Sequence, residues 1–365
     1  IVPYGEVVHN RIMLEIFRGC TRGCRFCQAG MIYRPVRERS MDRLLELAEK
    51  LVSATGYDEI SLMSLSSGDY SCLPDLAREM VQRYMERRVR ISLPSLRIDS
   101  YLKDTLKETQ KVRKTALTLA PEAGTQRLRD VINKGVTEAD LMRSVSEAFS
   151  EGWNAVKLYF MIGLPTETDE DVLGIADLAR KVQQCYFAVP KGQRAPGLRI
   201  TVSASVFVPK PDTPFQWSGQ LERDEVIRRQ MLLKDELRKI RGVDFKYHAP
   251  DLSYIEAVFA RGDRRLADAM QRAWELGCEF DGWSEQFRFD KWLQAFEETG
   301  VDPDFYATRE RPLDEVLPWD HLDSGVSKNF LLHEWAKAQR GELTHDCRQG
   351  CVGCGVTRYE GACRR

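Results

Sequence analysis

Over the first two-thirds of the chain, short apolar runs rich in β-branched and aromatic residues alternate with longer charged stretches of helical period. The apolar runs predict strands over Ile12–Phe17, Glu59–Leu65, Val89–Leu93, Thr115–Leu119, Ala155–Ile162 and Arg199–Val206. The stretches between them predict helices, including Met41–Ala54, Leu73–Arg87, Ser100–Glu108, Thr137–Glu151 and Asp169–Val182. Strand–helix alternation of this kind builds a parallel sheet through right-handed crossovers. The six strands counted above fall short of the eight of a closed barrel. The expected fold is therefore α/β, a partial (β/α)6 TIM-type barrel with its chemistry at the C-terminal ends of the strands.

The texture changes after Val208, where Pro209, Pro211 and Pro214 punctuate a turn-rich exit. From Glu222 to about Gly341 the pattern is mostly helical, and Glu222–Ile240 is the best example. Trp274, Trp283, Trp292, Trp319 and Trp335 fall here and are expected in the core, with base stacking or substrate contact as the lesser reading. The expected domains are residues 1–215 (barrel), 216–340 (a helical domain covering it) and 341–365 (a Cys-rich tail). No apolar run reaches the roughly 18–20 residues that span a bilayer, and no secretory signal is visible. A cytoplasmic protein with no membrane partner is expected. The chain starts at Ile1 rather than Met, which suggests a start further upstream. Lys and Arg number 54 against 55 Asp and Glu, so a strongly basic nucleic-acid-wrapping protein is not expected, while a local basic patch remains open.

Ten cysteines change the picture. Cys20, Cys24 and Cys27 share one C-x3-C-x2-C spacing with Cys347, Cys351 and Cys354. Clustered cysteines in a reducing compartment are more often metal ligands than disulfides. Cys72, Cys185 and Cys278 stand alone and are expected to be ordinary buried thiols. The first cluster follows the first predicted strand, on the loop at its C-terminal end. Three thiolates on one short loop can hold three irons of a [4Fe–4S] cube. The fourth iron can then chelate a small molecule, and the amine and carboxylate of S-adenosylmethionine (SAM) suit it. An electron passed to the sulfonium yields methionine and a 5′-deoxyadenosyl radical, which abstracts hydrogen from unreactive C–H bonds. The competing zinc reading wants four closed ligands, and no fourth Cys or His lies nearby in the sequence.

The motif, with Phe26 before its last cysteine, resembles that of the radical SAM superfamily. Further stretches resemble one uncharacterised bacterial group within it. They are RGCTRGCRFCQAGMIYRPVRERS (18–40), SLSSGDY (64–70), SLPSLRIDS (92–100), LAPEAGTQRLRDVINKG (119–135), FMIGLPTETDED (160–171), FVPKPDTPFQW (207–217), ARGDRR (260–265) and CRQGCVGCG (347–355). The resemblance covers nearly the whole chain. Members usually carry an N-terminal domain similar to cobalamin-binding domains, and this chain is expected to lack it, which tells against a cobalamin role.

The resemblance implies site roles. Ser66, Ser67, Gly68 and Asp69 stand where the superfamily often contacts the SAM amine, with serines in place of glycines and Asp69 as the acid. Ser95 and Arg97 end the third strand, and Arg97 would meet the SAM carboxylate through paired hydrogen bonds. Glu122 would bind the ribose hydroxyls or the amine, and Ile162 and Gly163 would pack on adenine. Plainer roles compete: Gly163 and Pro165 as a strand-to-helix turn, Glu122 and Asp69 as caps of following helices.

In the second cluster, Gly350, Gly353 and Gly355 allow tight turns around a bulky ligand, and Cys363 can supply a fourth thiolate. With Cys363 the site is a closed auxiliary [4Fe–4S] cluster or a structural zinc. Without it, an open iron would bind substrate or a sulfur species, as the radical SAM methylthiotransferases do with a cluster in their N-terminal domain. Free thiols are the remaining reading. Arg22, Arg25, Arg34, Arg37 and Arg39 surround the first motif as a solvated, ion-paired loop or as a site for SAM or an anionic substrate. Lys210, Arg261, Arg264 and Arg265 would extend that patch, and Tyr247, His248 and Asp251 either face the site or cap a helix. The expected activity is that of an oxygen-sensitive radical SAM enzyme acting on RNA or a ribosome-associated protein, with an electron donor such as flavodoxin or ferredoxin. The alternatives are radical modification, including methylation, of a peptide or small metabolite, and an iron–sulfur RNA-binding or scaffold protein.

Overall fold

The computed structural model describes residues 2–5, 7–92, 98, 117–359 and 363. Pro94, Ser95, Arg97 and the helix expected over Ser100–Glu108 lie outside the described residues. The described strands are, in chain order, β1 (Ile12–Glu15), β2 (Phe17–Arg18), β3 (Arg37–Glu38), β4 (Glu59–Met63), β5 (Arg90–Ser92), β6 (Leu117–Glu122), β7 (Ala155–Ile162), β8 (Arg199–Val206) and β9 (Val243–Tyr247). Two of the sheets are parallel, with orders β1-β4-β5 and β6-β7-β8-β9. In both, each strand lies beside its successor in the barrel series, which is the topology of a partial (β/α) barrel.

Helices cover each sheet from outside and make its core. Leu44, Ala48 and Val52 of the helix Met41–Thr55 and Leu73, Leu76 and Met80 of the helix Leu73–Tyr84 pack on Ile12, Leu14, Ile60 and Leu62. The larger core joins Val156, Leu158 and Phe160 of β7 and Ile200 and Val202 of β8 to helices Glu138–Ser150 and Asp169–Ala188. Both helices begin with capping boxes, Thr137 with Asp140 and Thr168 with Asp171, which satisfy the free amides of the first turn.

Several expectations are corrected. The first predicted strand splits at Ile16, whose amide donates to the Met63 carbonyl, and Phe17–Arg18 turns away to pair antiparallel with β3. This split aims the first cysteine loop. The region from Glu222 to Gly341 is mostly helical as expected, but it also contains β9, which adds to the sheet beside β8. The helix Arg223–Leu237 is the crossover between them, so the sheet continues past residue 215. Trp292 and Trp319 are buried as expected, but Trp274 and Trp283 are exposed. Cys72, expected buried, is exposed, and Cys278 is buried. No helix among the described residues is long and apolar enough to cross a membrane.

Candidate active site at two cysteine loops

The first cysteine loop leaves β2 through Gly19, at φ +87°. A Cβ there would lie 2.4 Å from the Tyr33 carbonyl oxygen and 2.7 Å from that of Pro35, so the returning chain closes on a bare backbone. Cys24 is buried, and Cys20 and Cys27 are half-buried. Cys27 caps the short helix Gln28–Ile32, its Sγ accepting from the Gly30 amide at 3.4 Å. Burial, followed by the neighbouring Cys24, pushes the Cys27 thiol up to about 11. Cys20 acts on it in the same direction. Among the described residues, no group of three or more His, Cys, Asp or Glu converges on one metal ion. The ligands of an iron–sulfur cube stand on separate irons, and three like thiols on a rigid loop suit that donor set.

The loop is locked from below. Arg25 is fully buried, pairs with buried Glu334 at 3.1 Å, and donates to the carbonyls of Asp130, Val131 and Glu342 at 3.1, 2.8 and 2.6 Å. Asn133 donates to the Gly23 carbonyl at 3.1 Å and accepts from the Thr344 amide at 3.0 Å. Helix Gln126–Val131 and the end of helix Lys328–Gln339 thus hold the loop between them. Arg25 is a structural cation. The reading of the arginines as ion-paired residues fits it, although its burial excludes a solvated one.

The residues assigned to SAM by resemblance are partly assembled. Asp69 is buried, accepts from Ser66 Oγ at 2.6 Å, and forms an ion pair with Arg22 in which Nε reaches it at 3.0 Å. Arg348 approaches the same carboxylate at 3.5 Å. Ser67 is turned inward and donates to the Leu62 carbonyl at 3.2 Å, so it serves the strand end. Glu122 ends β6 at φ +68°, where the register with β7 shifts, and pairs with Lys134 at 3.0 Å. Lys134 in turn lies 6.0 Å over the Phe26 ring. Phe26 and Glu122 therefore meet through one lysine beside the cysteine loop. Ile162 is wholly buried in the sheet core. Gly163, at φ +88°, donates its amide to Glu167 at 2.7 Å. Glu167 also pairs with Arg229 at 2.8 Å. Burial dominates there and pushes its carboxyl up to about 7. Residues 163–167 line a cleft of about 440 Å³ together with Gln220, Leu221 and Arg229.

The tail folds back onto the first loop. The Cys347 amide donates to the Thr21 carbonyl at 3.2 Å, Thr21 Oγ1 donates to Asp346 at 2.8 Å, and Arg22 reaches Asp346 at 3.2 Å. Cys354 is buried beside Met31, Trp319 and Phe330, and its carbonyl accepts from the Ser327 amide at 2.9 Å. Cys351 and Cys363 are exposed. Burial raises the Cys347 thiol above its usual range, Cys354 and Cys363 act in the same direction, and Arg34 opposes them. Cys363 is itself raised by burial and then by Cys354 and Cys351. Four cysteine thiolates are the donor set of a closed [4Fe–4S] cluster or of a structural zinc.

The remaining candidates are not brought to the loops by any contact. Lys210 pairs with Glu256 at 2.5 Å, and Asp251 pairs with Arg223. Tyr247 and His248 are exposed. Arg261 is buried and bonded to the carbonyls of Tyr306, Ala307 and Arg309, at the end of helix Pro303–Ala307. Sequence reasoning missed Asn133, Lys134, Glu334 and Asp346. Their partners lie far along the chain, and only Asp346, adjacent to a motif cysteine, carried any local signal.

Residues 14–179 match the family model described as the Radical SAM superfamily. The chain is 34% identical over 289 residues to an uncharacterized protein of Methanocaldococcus jannaschii, covering 79% of this chain and 60% of that protein. It is 30% identical over 169 residues to a probable threonylcarbamoyladenosine tRNA methylthiotransferase of Archaeoglobus fulgidus, covering 43% and 39%. It is 23% identical over 167 residues to the ribosomal protein uS12 methylthiotransferase RimO of Caldanaerobacter subterraneus subsp. tengcongensis, covering 43% and 38%. The chain thus spans 60% of the first of these relatives and under two-fifths of the other two.

Proposed function

This chain belongs to the radical SAM superfamily, and from that premise we propose that it is an enzyme that uses SAM at a [4Fe–4S] cluster held by Cys20, Cys24 and Cys27 to modify RNA or a ribosome-associated protein. The bound cluster supplies the electron that splits the SAM sulfonium into methionine and a 5′-deoxyadenosyl radical. The chain's own residues prepare the place. Gly19 and Arg25 fix the loop, Phe26 and Glu122 are joined by Lys134, and Gly163 turns the end of β7 toward the cleft. Ser66 and Asp69 lie at the end of β4 beside the loop through Arg22. Arg97 and Ser95 complete the SAM contacts of this proposal. A second [4Fe–4S] cluster would be held by Cys347, Cys351, Cys354 and Cys363.

One observation supports this reading: the amide of a tail cysteine, Cys347, is bonded to the Thr21 carbonyl, so the tail motif is seated on the first cysteine loop. The substrate class is supported by the likeness to methylthiotransferases of tRNA and of a ribosomal protein. It draws less on the arginines, since Arg22 and Arg25 are spent on internal ion pairs. The electron donor would be a flavodoxin or ferredoxin, in the cytoplasm.

The test is anaerobic reconstitution with iron and sulfide counting, on wild type and on a Cys347→Ala/Cys351→Ala/Cys354→Ala variant, followed by SAM and dithionite. About eight irons in wild type, about four in the variant and 5′-deoxyadenosine from both support the proposal. About four irons in both remove the second cluster. No 5′-deoxyadenosine from either sample sinks the enzyme. Mass spectrometry of total RNA and of ribosomal proteins after turnover, beside a peptide and metabolite pool, then identifies the modified class.

A further inference from the structure

Arg34 is buried between the two cysteine loops. Its Nε donates to the Gly30 carbonyl at 2.9 Å, and the Gly30 amide donates to Cys27 Sγ at 3.4 Å. Its Nη1 lies 3.8 Å from Cys347 Sγ, within reach of a bond to sulfur. Its Nη2 fills the space left at Gly23, where a Cβ would stand 3.1 Å away. The Phe330 ring covers the guanidinium, 5.5 Å from Cζ to the ring centroid. Among the described residues, no carboxylate stands within ion-pair distance of it. Arginine stays charged in proteins, and a buried charge without a counter-ion is costly. The anionic groups left to it are thiolates, and the first on its path is Cys347.

We infer that Arg34 is a positioning residue that bridges the two thiol sets and raises the reduction potential of the tail cluster. The inference rests on the second cluster proposed above. A cation donating to a thiolate stabilises the more negative, reduced state of that cluster. The affected step is a one-electron reduction by an external low-potential donor, and no bond or proton changes partner. Arg34 touches Cys347 directly but reaches Cys27 only through Gly30, so its effect falls mainly on the tail.

The test is an EPR-monitored redox titration of the reconstituted chain. It is run in wild type and in a Cys20→Ala/Cys24→Ala/Cys27→Ala background, which leaves only the tail signal. Arg34→Met is expected to keep its irons and to make the tail cluster at least tenfold harder to reduce, about 59 mV for one electron. Arg34→Lys keeps the charge and loses the bridge, and is expected to recover part of that shift. An unchanged tail potential in Arg34→Met, with about eight irons retained, overturns the inference. If Arg34→Met loses the tail irons, Arg34→Lys decides: a potential equal to wild type overturns the inference, and a lowered one supports it. About four irons in wild type would instead mark failure of the second-cluster reading itself.

Discussion

The Asp346 carboxylate stands 3.2 Å from the Arg22 guanidinium, and the same guanidinium holds Asp69. One arginine between two motif cysteines therefore joins the end of β4 to the residue preceding the tail motif. Arg22→Ala takes a charge-assisted partner from each of the carboxylates of buried Asp69 and Asp346. Lost charge-assisted hydrogen bonds cost about 1.5–3 kcal/mol each. The expected outcome is at least tenfold faster protease cleavage around residues 340–350, with the first loop's irons retained. Cleavage at the wild-type rate would show that the tail is held by its apolar contacts alone.

Arg25 and Glu334 form a buried ion pair at 3.1 Å. Breaking such a pair from one side leaves an uncompensated buried charge and costs about 3–5 kcal/mol. Arg25→Met is therefore expected to lower unfolding stability by that amount in urea denaturation. Arg25→Met/Glu334→Leu should recover a large part, though not all, because Arg25 also serves three carbonyls. A double variant no better than the single one would contradict the ion-pair account.

Glu167 titrates in an informative window. Burial pushes its carboxyl from the ordinary 4.5 up to about 7. The folded state thus holds a proton that the unfolded chain has released, and the resulting stability is full below pH 4.5 and is lost as pH rises toward about 7. The change is on the order of 3 kcal/mol. Glu167→Gln removes the titrating proton and can still accept from the Gly163 amide. Urea denaturation at several values across the window should show a downward slope in wild type, flattened in the variant. Equal slopes would assign the dependence to other groups.

Much of the barrel is legible in the sequence because its physics is local. The strands Ala155–Ile162 and Arg199–Val206 appear at their expected bounds, being apolar runs bounded by turn residues. Thr137 and Thr168 announce their helices through their own capping boxes. Val243–Tyr247 escaped notice because it lies at the sheet edge, where Asp244, Lys246 and Tyr247 face solvent and blur the apolar signal. The site was half legible. The cysteine spacings are short-range, so both motifs stand out. That Thr21 meets Cys347, and Arg25 meets Glu334, depends on contacts across some three hundred residues that no periodicity encodes. A run of arginines reads as a solvated or substrate-facing patch until the fold shows that Arg25 and Arg34 are buried.

Gly19 separates backbone strain from loss of space, and a comparison with Gly56 makes the distinction measurable. Both are left-handed, Gly19 at φ +87° and Gly56 at φ +70°. A Cβ at Gly56, which ends the helix Met41–Thr55, meets nothing within 4 Å. Gly56→Ala therefore carries only the conformational penalty, roughly 1 kcal/mol. A Cβ at Gly19 lies 2.4 and 2.7 Å from two backbone oxygens, which have no side-chain freedom with which to retreat. The chain at Tyr33 and Pro35 must move, and Cys20 is the next residue. Gly19→Ala is expected to cost several kcal/mol more than Gly56→Ala. It should also lower the iron held by the first loop, counted in the Cys347→Ala/Cys351→Ala/Cys354→Ala background, while Gly56→Ala leaves that count unchanged. Equal iron in the two variants would mean that the loop can open at Gly19 without disturbing the thiols.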